Sequence, residues 1–188
     1  MENHRDTIES TSATSSRSTA KAHSSPLRIE QARVDDAQAV ASVLQEAAQW
    51  LAGTGRPLWT PSDVSHERVL RDTVAGNYFA ARDGGDVVGV MRFDLEDPYF
   101  WPEIEAGTSA FVHKLAVRRS WAGKGVSTAL LAFARERARG LERGHLRLDC
   151  VADRQELRTL YERFGFALHS YLEKGALSFA RYELAVTD

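Results

Sequence analysis

The sequence contains a single cysteine, Cys150, among 188 residues. One cysteine excludes an internal disulfide, and no Cys/His cluster has the spacing of metal ligands, so we expect no metal ion. Cys150 alternates with Leu146 and Leu148 on the apolar face of a predicted strand. It is therefore predicted to be a small buried residue rather than a reactive thiol.

Two further absences concern membranes and nucleic acid. No apolar run approaches the length of a membrane span or forms the core of a secretory signal. Neither sign of charge is in excess, because 24 Lys and Arg residues are balanced by 26 Asp and Glu residues. This balance gives no general attraction to nucleic acid or to a membrane surface, and we expect a cytoplasmic protein.

Residues 1–25 have almost no apolar side chains. They are rich in Ser and Thr and carry scattered charges of both signs. A segment of this composition cannot bury enough apolar surface to fold, so we predict a disordered N-terminal tail. The chain is 43% apolar overall, which is enough for one sizeable core, and residues 26–188 are predicted to form a single domain.

Hydrophobic periodicity predicts an α/β fold. The order is one strand, two helices, a run of strands, then a helix, a strand, a helix and two strands, which indicates a sheet with mixed pairing. The first helix carries apolar residues at helical spacing from Ala37 to Leu51. Asp35 or Asp36 is its predicted cap, and Gly53 breaks it.

Local signals predict three further boundaries. Thr60 and Pro61 have the residue types of a helix cap and first position, which places the start of the second helix there. Residues 83–86, Asp-Gly-Gly-Asp, form a strong hairpin turn. Asp153 and Glu156 have the spacing of a capping box and predict the start of the last helix.

The most informative stretch runs from Lys114 to Leu131. It reads as an apolar strand, a turn with glycines and the first turns of an amphipathic helix. Glycines allow close approach of the backbone to a ligand, and the N–H groups of a first helical turn attract anions. Four residues are predicted to share one face of the strand: Phe111, His113, Leu115 and Val117.

Two common phosphate-binding loops do not fit this turn. A P-loop needs a glycine five residues before its Gly-Lys pair and Ser or Thr after it, but Arg118 and Gly125 stand in those places. The dinucleotide fingerprint fails because Thr128 replaces its third glycine and the turn comes late in the chain.

The turn instead resembles the acyl-CoA loop of the GCN5-related N-acetyltransferases (GNAT). The family pattern is Arg or Gln, two variable residues, Gly, one variable residue, then Gly or Ala. It maps onto Ala122, Gly123, Lys124, Gly125, Val126 and Ser127. The chain departs from the pattern at Ala122, which lacks the long polar side chain, and at Ser127, which stays small. Arg118, Arg119 and Lys124 could restore positive charge near a diphosphate.

A second match follows in the segments Leu146–Cys150 and Tyr161–Phe166. The resemblance implies a strand that splays from its neighbour to admit pantetheine, then a helix that ends in the motif Tyr, three variable residues, Gly, Phe. Tyr161 takes the place of the tyrosine that commonly protonates the departing CoA thiolate. Spacing alone favours a core tyrosine with its hydroxyl hydrogen-bonded at the rim, whereas the position in the family motif favours a role beside the thioester. Arg154 stands where the family often has Asn, so its polar contact must differ.

The resemblance implies a mixed, mostly antiparallel sheet of about six to seven strands, about four flanking helices and a central parallel, splayed strand pair. It also implies direct transfer of an acetyl group from acetyl-CoA to a primary amine through a tetrahedral intermediate, without a covalent enzyme step. The implied CoA-binding residues are Leu115, Ala116, Val117, Ala122, Gly123, Lys124, Gly125, Val126, Ser127 and Thr128.

The amine must lose a proton before it attacks, and several residues could accept that proton. We favour His113, whose ordinary pKa suits the task, although a single His in a strand is also often structural. The alternatives are Asp94, Glu96, Glu103 and Glu105. The candidate acceptor wall consists of Trp50, Trp59, Glu103 and Glu105. The segment that contains the two glutamates could equally be a solvated surface excursion.

Three hypotheses about function follow. The first is an N-acetyltransferase of a small-molecule amine. The second is an enzyme that acts on protein N-termini or lysines. The third is an acyl-CoA-binding sensor or interaction module without efficient turnover, which the departures at Ala122 and Arg154 leave open. The family resemblance also suggests a homodimer.

Overall fold

The computed structural model describes residues 26–186, so the predicted disordered tail lies outside the described residues. The strands are β1 (Arg28–Gln31), β2 (Tyr78–Asp83), β3 (Asp86–Asp94), β4 (Ser109–Val117), β5 (His145–Val151), β6 (Ala167–Lys174) and β7 (Leu177–Ala185). The helices are α1 (Ala37–Gly53), α2 (His66–Val74), α3 (Val126–Gly140) and α4 (Gln155–Phe164), with short 3-10 turns at Val34–Asp36 and Arg119–Trp121.

All seven strands form one sheet in the order β1-β2-β3-β4-β5-β7-β6. The β4–β5 pair is parallel, and the other neighbouring pairs are antiparallel. The sheet, its four flanking helices and its central parallel pair confirm the predicted fold class. No helix of the described chain combines the length and apolar character needed to cross a bilayer.

Each face of the sheet carries its own hydrophobic core. One core joins α1 and α2 to the sheet through residues such as Val40, Leu44, Val69 and Tyr78. The other core joins α3 and α4 to the opposite face, with Leu130, Leu148, Tyr161 and Tyr182 among its members. Cys150 is buried in this second core, as its alternation with apolar residues predicted.

The parallel strands β4 and β5 separate halfway along their length. Residues 109–112 pair with residues 145–148, and the pairing ends at Val112 and Leu148. Beyond that point β4 continues to Val117 beside β3, while β5 continues to Val151 beside β7. The gap between them, termed the fork, confirms the predicted splay.

A β-bulge in β4 changes which residues share a face. The register to β3 passes from Arg92↔His113 to Val90↔Ala116, and Lys114 adopts a positive φ of 48°. The extra residue reverses the alternation of side chains. The prediction that Phe111, His113, Leu115 and Val117 share one face is therefore wrong. Leu115 and Val117 pack with Val112 in the core that contains α3, whereas Phe111 and His113 point to the opposite face of the sheet.

The second helix begins later than predicted. Thr60 and Asp63 form a separate turn in which the Asp63 carboxylate accepts hydrogen bonds from the Thr60 N–H and hydroxyl at 2.8 and 2.6 Å. The helix starts at His66, and the Ser65 hydroxyl accepts from the Arg68 N–H as its cap. The local turn at Thr60 satisfies the same polar groups that a helix cap would use.

The predicted capping box of the last helix is also absent. Arg154 occupies the cap position of α4 without a side-chain cap, and Glu156 pairs with Arg56 instead. Other boundaries match the predictions. Gly84 and Gly85 alone connect β2 to β3, and α1 ends at Gly53.

Gly89 of β3 allows α3 to approach the sheet closely. A Cβ atom at this position would lie 2.6 Å from Val126 Cγ1 and 3.3 Å from Leu130 Cδ1. We expect Gly89→Ala to lower the free energy of unfolding by about 1–3 kcal/mol, because buried overpacking forces neighbours to shift. Denaturant unfolding of purified protein measures the effect.

Gly140→Ala is the matched control, since a Cβ there meets no atom within 4 Å. Its unfolding free energy should stay equal or rise slightly. Equal stability of the two variants would contradict the close-packing account of Gly89.

Candidate functional site

The loop of residues 122–125, termed the glycine loop, leads from β4 into α3. Gly123 and Gly125 have φ values of 75° and 79°, a conformation that favours glycine. The hydrogen-bond ladder of α3 begins with the Ala129 N–H, which donates to the Gly125 carbonyl at 2.9 Å. The N–H groups of residues 126–128 therefore point out of the helix start, where they can bind an anion.

Of the three basic residues near this loop, Arg118 is occupied by other contacts. Its guanidinium donates to Glu46 at 2.8 Å and to Ser42 at 3.1 Å, which fastens the end of β4 to α1. The Arg119 guanidinium stacks 3.8 Å above the Trp50 ring. Trp50 thus lies beside the strand end that leads into the glycine loop, and it is not among the residues that line the cavity beside Trp59.

Lys124 lies in the exposed glycine loop itself, with its ammonium 4.9 Å from the centre of the Trp121 ring. Cation–π contacts of this kind hold a positive charge in place without neutralising it. Arg119 and Lys124 therefore leave positive charge available at the start of α3.

The edge of β4 that faces the fork lies beyond its last pair with β5. It comprises Leu115, Ala116 and Val117, the three predicted pantetheine contacts. An unpaired strand edge offers N–H and C=O groups to a ligand that runs alongside it.

Tyr161 on α4 lies in the core between the sheet and the helices α3 and α4. It is 4% exposed, and its ring packs against Phe166 and Tyr182 with centroid separations of 6.1 and 5.9 Å. Burial, with smaller contributions from Cys150 and Asp149, raises the pKa of its hydroxyl far above the ordinary value. Tyr161 therefore keeps its proton at neutral pH, which excludes the role of a base.

Four titratable side chains meet at the fork. His113 Nε2 lies 3.4 Å from Asp97 Oδ2 and 3.9 Å from Asp94 Oδ2, and His113 Nδ1 lies 3.7 Å from Asp149 Oδ1. His113 and Asp149 are the first residues beyond the last β4–β5 pair. The group formed by Asp94, Asp97, His113 and Asp149 is termed the His113 cluster.

Asp97 is held from the segment between β3 and β4. Its Oδ1 accepts hydrogen bonds from the backbone N–H groups of Tyr99 and Phe100 at 3.1 and 3.0 Å. Its Oδ2 is buried and has no hydrogen-bond partner. One oxygen therefore fixes the carboxylate, and the other is directed at His113.

Asp149 lies opposite Arg181 in the β5–β7 register, but that guanidinium is bound elsewhere. Arg181 donates to Glu103 at 2.7 Å, to the Phe100 carbonyl at 2.9 Å and to Ser170 at 2.9 Å. These bonds anchor the β3–β4 segment over the sheet. Asp149 Oδ1 is left buried without a hydrogen-bond partner.

The cluster shifts two pKa values in ways that suit proton transfer. Burial, helped by Asp97 and opposed by Arg181, raises the pKa of Asp149 to about 7. Burial lowers the pKa of His113, although Asp97 and Asp94 act in the opposite direction. A neutral imidazole therefore lies beside a carboxyl group that can gain or lose a proton near neutral pH.

The remaining candidate residues are dispersed. Glu103 is engaged by Arg181, Glu105 and Glu96 are exposed, and Asp94 belongs to the His113 cluster while also pairing with Arg92 at 3.0 Å. Trp59 lines an open, mainly apolar cavity of about 550 Å³ between α1 and the turn that precedes α2. Its other walls include Ala48, Ala52, Pro57, Leu58 and Val64.

Arg154 makes a contact that an Asn would not reach. Its Nη2 donates to the Arg56 carbonyl at 2.7 Å, which ties the loop after α1 to the start of α4. Its Nη1 is buried without a partner.

Comparison with known proteins agrees with the geometry of the fork and the glycine loop. The sequence pattern of the acetyltransferase (GNAT) family matches residues 44–166. The chain belongs to the GNAT family. This confirms the predicted enzyme class, an acetyl-CoA-dependent N-acetyltransferase.

Individual relatives of this GNAT protein are distant. The uncharacterized N-acetyltransferase YesJ of Bacillus subtilis is 28% identical over 141 residues, which are 70% of this chain and 77% of YesJ. A GNAT acetyltransferase from Listeria monocytogenes has a TM-score of 0.70 at 20% identity and covers 85% of this chain and 94% of its own. YncA from Salmonella typhimurium, solved with acetyl-CoA, has a TM-score of 0.68 at 16% identity and covers 87% of this chain and 96% of its own.

Sequence reasoning did not place Asp97 and Asp149 beside His113. Asp149 lies between two core-facing residues, so its side chain points to the opposite face of β5. A carboxylate buried there is costly unless it has a partner, and this cost was a signal of a possible site. A parallel register that aligns Val112 with Leu148 would have placed it beside His113. Asp97 gave no comparable signal, because its position depends on how the β3–β4 segment folds back.

The raised pKa of Asp149 predicts a pH-dependent stability difference. The folded protein holds this proton up to about pH 7, whereas the unfolded chain loses it near the ordinary value of 3.8. Stability therefore falls as pH rises through this range. Asp149→Asn removes this penalty, so its stability relative to the wild type should rise by about 2 kcal/mol from pH 5 to pH 8.

Denaturant unfolding at the two pH values tests this expectation. Asp153→Asn, which changes an exposed carboxylate before α4, is the control and should show little difference at either pH. A pH-independent difference for Asp149→Asn would contradict the assigned environment.

Proposed function

We propose that this GNAT enzyme transfers an acetyl group from acetyl-CoA directly to the primary amine of a small molecule. The observation that carries the proposal is the coincidence of the fork with the His113 cluster. The strands part after Val112 and Leu148, and the next residue of each strand is His113 or Asp149. A thioester carried into the fork would arrive beside groups that can accept a proton.

Acetyl-CoA has a continuous path to this point. We assign its diphosphate to the glycine loop and the first turn of α3, from Ala122 to Thr128. Negative charge is favoured there by the free N–H groups, the helix dipole and the side chains of Arg119 and Lys124. Its pantetheine arm would bind along Leu115, Ala116 and Val117 in the fork.

The chemical step needs a base, an oxyanion donor and an acid. A neutral His113 takes a proton from the bound ammonium, directly or through Asp149, and the freed amine attacks the thioester carbon. A backbone N–H of β4 at the fork stabilises the oxyanion. When the C–S bond breaks, Tyr161 gives its proton to the departing thiolate. The extra proton on the attacking nitrogen leaves as the amide forms and returns to the tyrosinate, directly or through water.

The β3–β4 segment covers the His113 cluster, and this favours a small acceptor. The β3–β4 segment lies over this face of the sheet, with Trp101 1% exposed and the Arg181 side chain bonded to the Phe100 carbonyl. A peptide acceptor would need an open groove for its backbone on both sides of the amine. The cavity beside Trp59 would take an apolar portion of the acceptor.

Two other expectations about this enzyme stay predictions. They are a cytoplasmic location and a homodimeric state.

The role of Tyr161 is tested with Tyr161→Phe. We expect kcat for acetyl transfer to fall by about 100-fold or more, since loss of a general acid removes that much rate. The acetyl-CoA-dependent rise in melting temperature should remain. The assay measures thiol release with a panel of small amines and with peptides that offer N-terminal or lysine amines.

Tyr171→Phe, at an exposed position on β6, is the control and should keep full activity. Acetylation of peptides but not small amines would replace the proposal with the protein-acetylating alternative. Acetyl-CoA binding without transfer to any acceptor would favour the non-catalytic sensor.

A further inference from the structure

The His113 cluster contains two buried carboxyl groups to which no Arg or Lys side chain is bonded. Asp94 is paired with Arg92, whose Nε lies 3.0 Å from its carboxylate. Asp97 and Asp149 have only the His113 imidazole beside them, at 3.4 and 3.7 Å, and their side chains are only 7% and 10% exposed. Burial of a carboxylate without a counter-charge is costly, so the two oxygens define a place for a cation.

The nearby cationic side chains are already committed to other contacts. Arg181 is bonded to Glu103, to the Phe100 carbonyl and to Ser170. Lys114 donates to the Asp63 carbonyl. Neither side chain is bonded to Asp97 or Asp149, which leaves their buried oxygens open to a cationic ligand.

The geometry fits an ammonium group. Asp97 Oδ2 and Asp149 Oδ1 are hydrogen-bond acceptors without donors, and they flank the ring of His113, a third acceptor when neutral. A primary ammonium has three N–H donors that diverge from one atom. It can therefore satisfy both carboxylates and place its third proton toward the imidazole.

A metal ion is the competing occupant of this place. Asp97, His113 and Asp149 can each offer one ligand atom, and these atoms lie within 4.8 Å of one another. The proposed reaction favours the ammonium, because the acceptor amine has to reach the His113 cluster to lose its proton. Zinc binding is therefore measured beside amine binding.

We infer that the acceptors of this enzyme are primary alkylamines without a carboxylate next to the amine, whose ammonium group binds between Asp97 and Asp149. The inference rests on the proposed transferase function for its biological meaning. It excludes α-amino acids, because their carboxylate would enter a site that already holds Asp94, Asp97 and Asp149 and offers no free cation to receive it.

Matched ligand pairs test the inference without requiring turnover. Calorimetry on the CoA-saturated protein compares phenethylamine with phenylalanine, and tyramine with tyrosine. Members of each pair differ only in the α-carboxylate. We expect the amine of each pair to bind at least 10-fold more tightly.

Variants locate the binding group. Asp97→Asn and Asp149→Asn should each weaken amine binding at least 10-fold while the affinity for CoA stays unchanged. Glu67→Gln, at an exposed position of α2, removes one negative charge from the surface and should change neither affinity. The wild-type ligand comparison stands even if a variant fails to fold.

Several results would overturn the inference. Equal or tighter binding of the amino acid would do so, as would amine binding that is unchanged in both Asp variants. Zinc binding that is lost in both variants, without any amine binding, would identify a metal site instead.

Acetylation assays with the same ligands separate this inference from the proposed function. Selective amine binding without acetylation would support the ammonium site and refute the transferase proposal. Acetylation of phenylalanine in preference to phenethylamine would support the transferase proposal and refute the ammonium site.

Discussion

The separation of β4 from β5 is the constraint on which the rest of the structure depends. In the middle of a seven-stranded sheet, two neighbours pair over residues 109–112 and 145–148 and then part. Backbone groups along the opened edge lose their partners, and buried backbone groups left unpaired are costly. A sheet that keeps such an opening needs an extended ligand or ordered water to occupy it. The β4 bulge at Lys114 and the close approach of α3 at Gly89 both lie beside this opening and shape it.

The buried charges at the fork follow from the same arrangement. The two strands bring His113 and Asp149 side by side, and the β3–β4 segment adds Asp97 from above. Arg181 holds that segment down and thereby leaves Asp149 without a bonded counter-ion. The burial of Asp149 lowers the stability of the folded protein near neutral pH, because the unfolded chain can release a proton that the folded protein keeps up to about pH 7. Costly, incompletely paired groups of this kind concentrate where a protein binds and transforms its ligand.

The sequence predicted the features that local pattern or family motif controls. Gly123, Gly125 and the start of α3 follow from the glycine turn, and the Gly84–Gly85 hairpin follows from turn chemistry. The missed features depend on tertiary structure. Ser65, rather than Thr60, caps α2 because Thr60 is used in its own turn, and no periodicity shows the bulge that turns Leu115 away from His113. Asp97 reaches the site only because Arg181 anchors a segment from a distant strand.

A crystal structure with bound acetyl-CoA would show whether the fork holds the cofactor. We expect the diphosphate within hydrogen-bond distance of the N–H groups of residues 126–128, the pantetheine arm along Leu115–Val117, and the thioester between Tyr161 and His113. A pantetheine arm bound outside the fork, or strands β4 and β5 paired beyond Val112 and Leu148, would contradict this expectation.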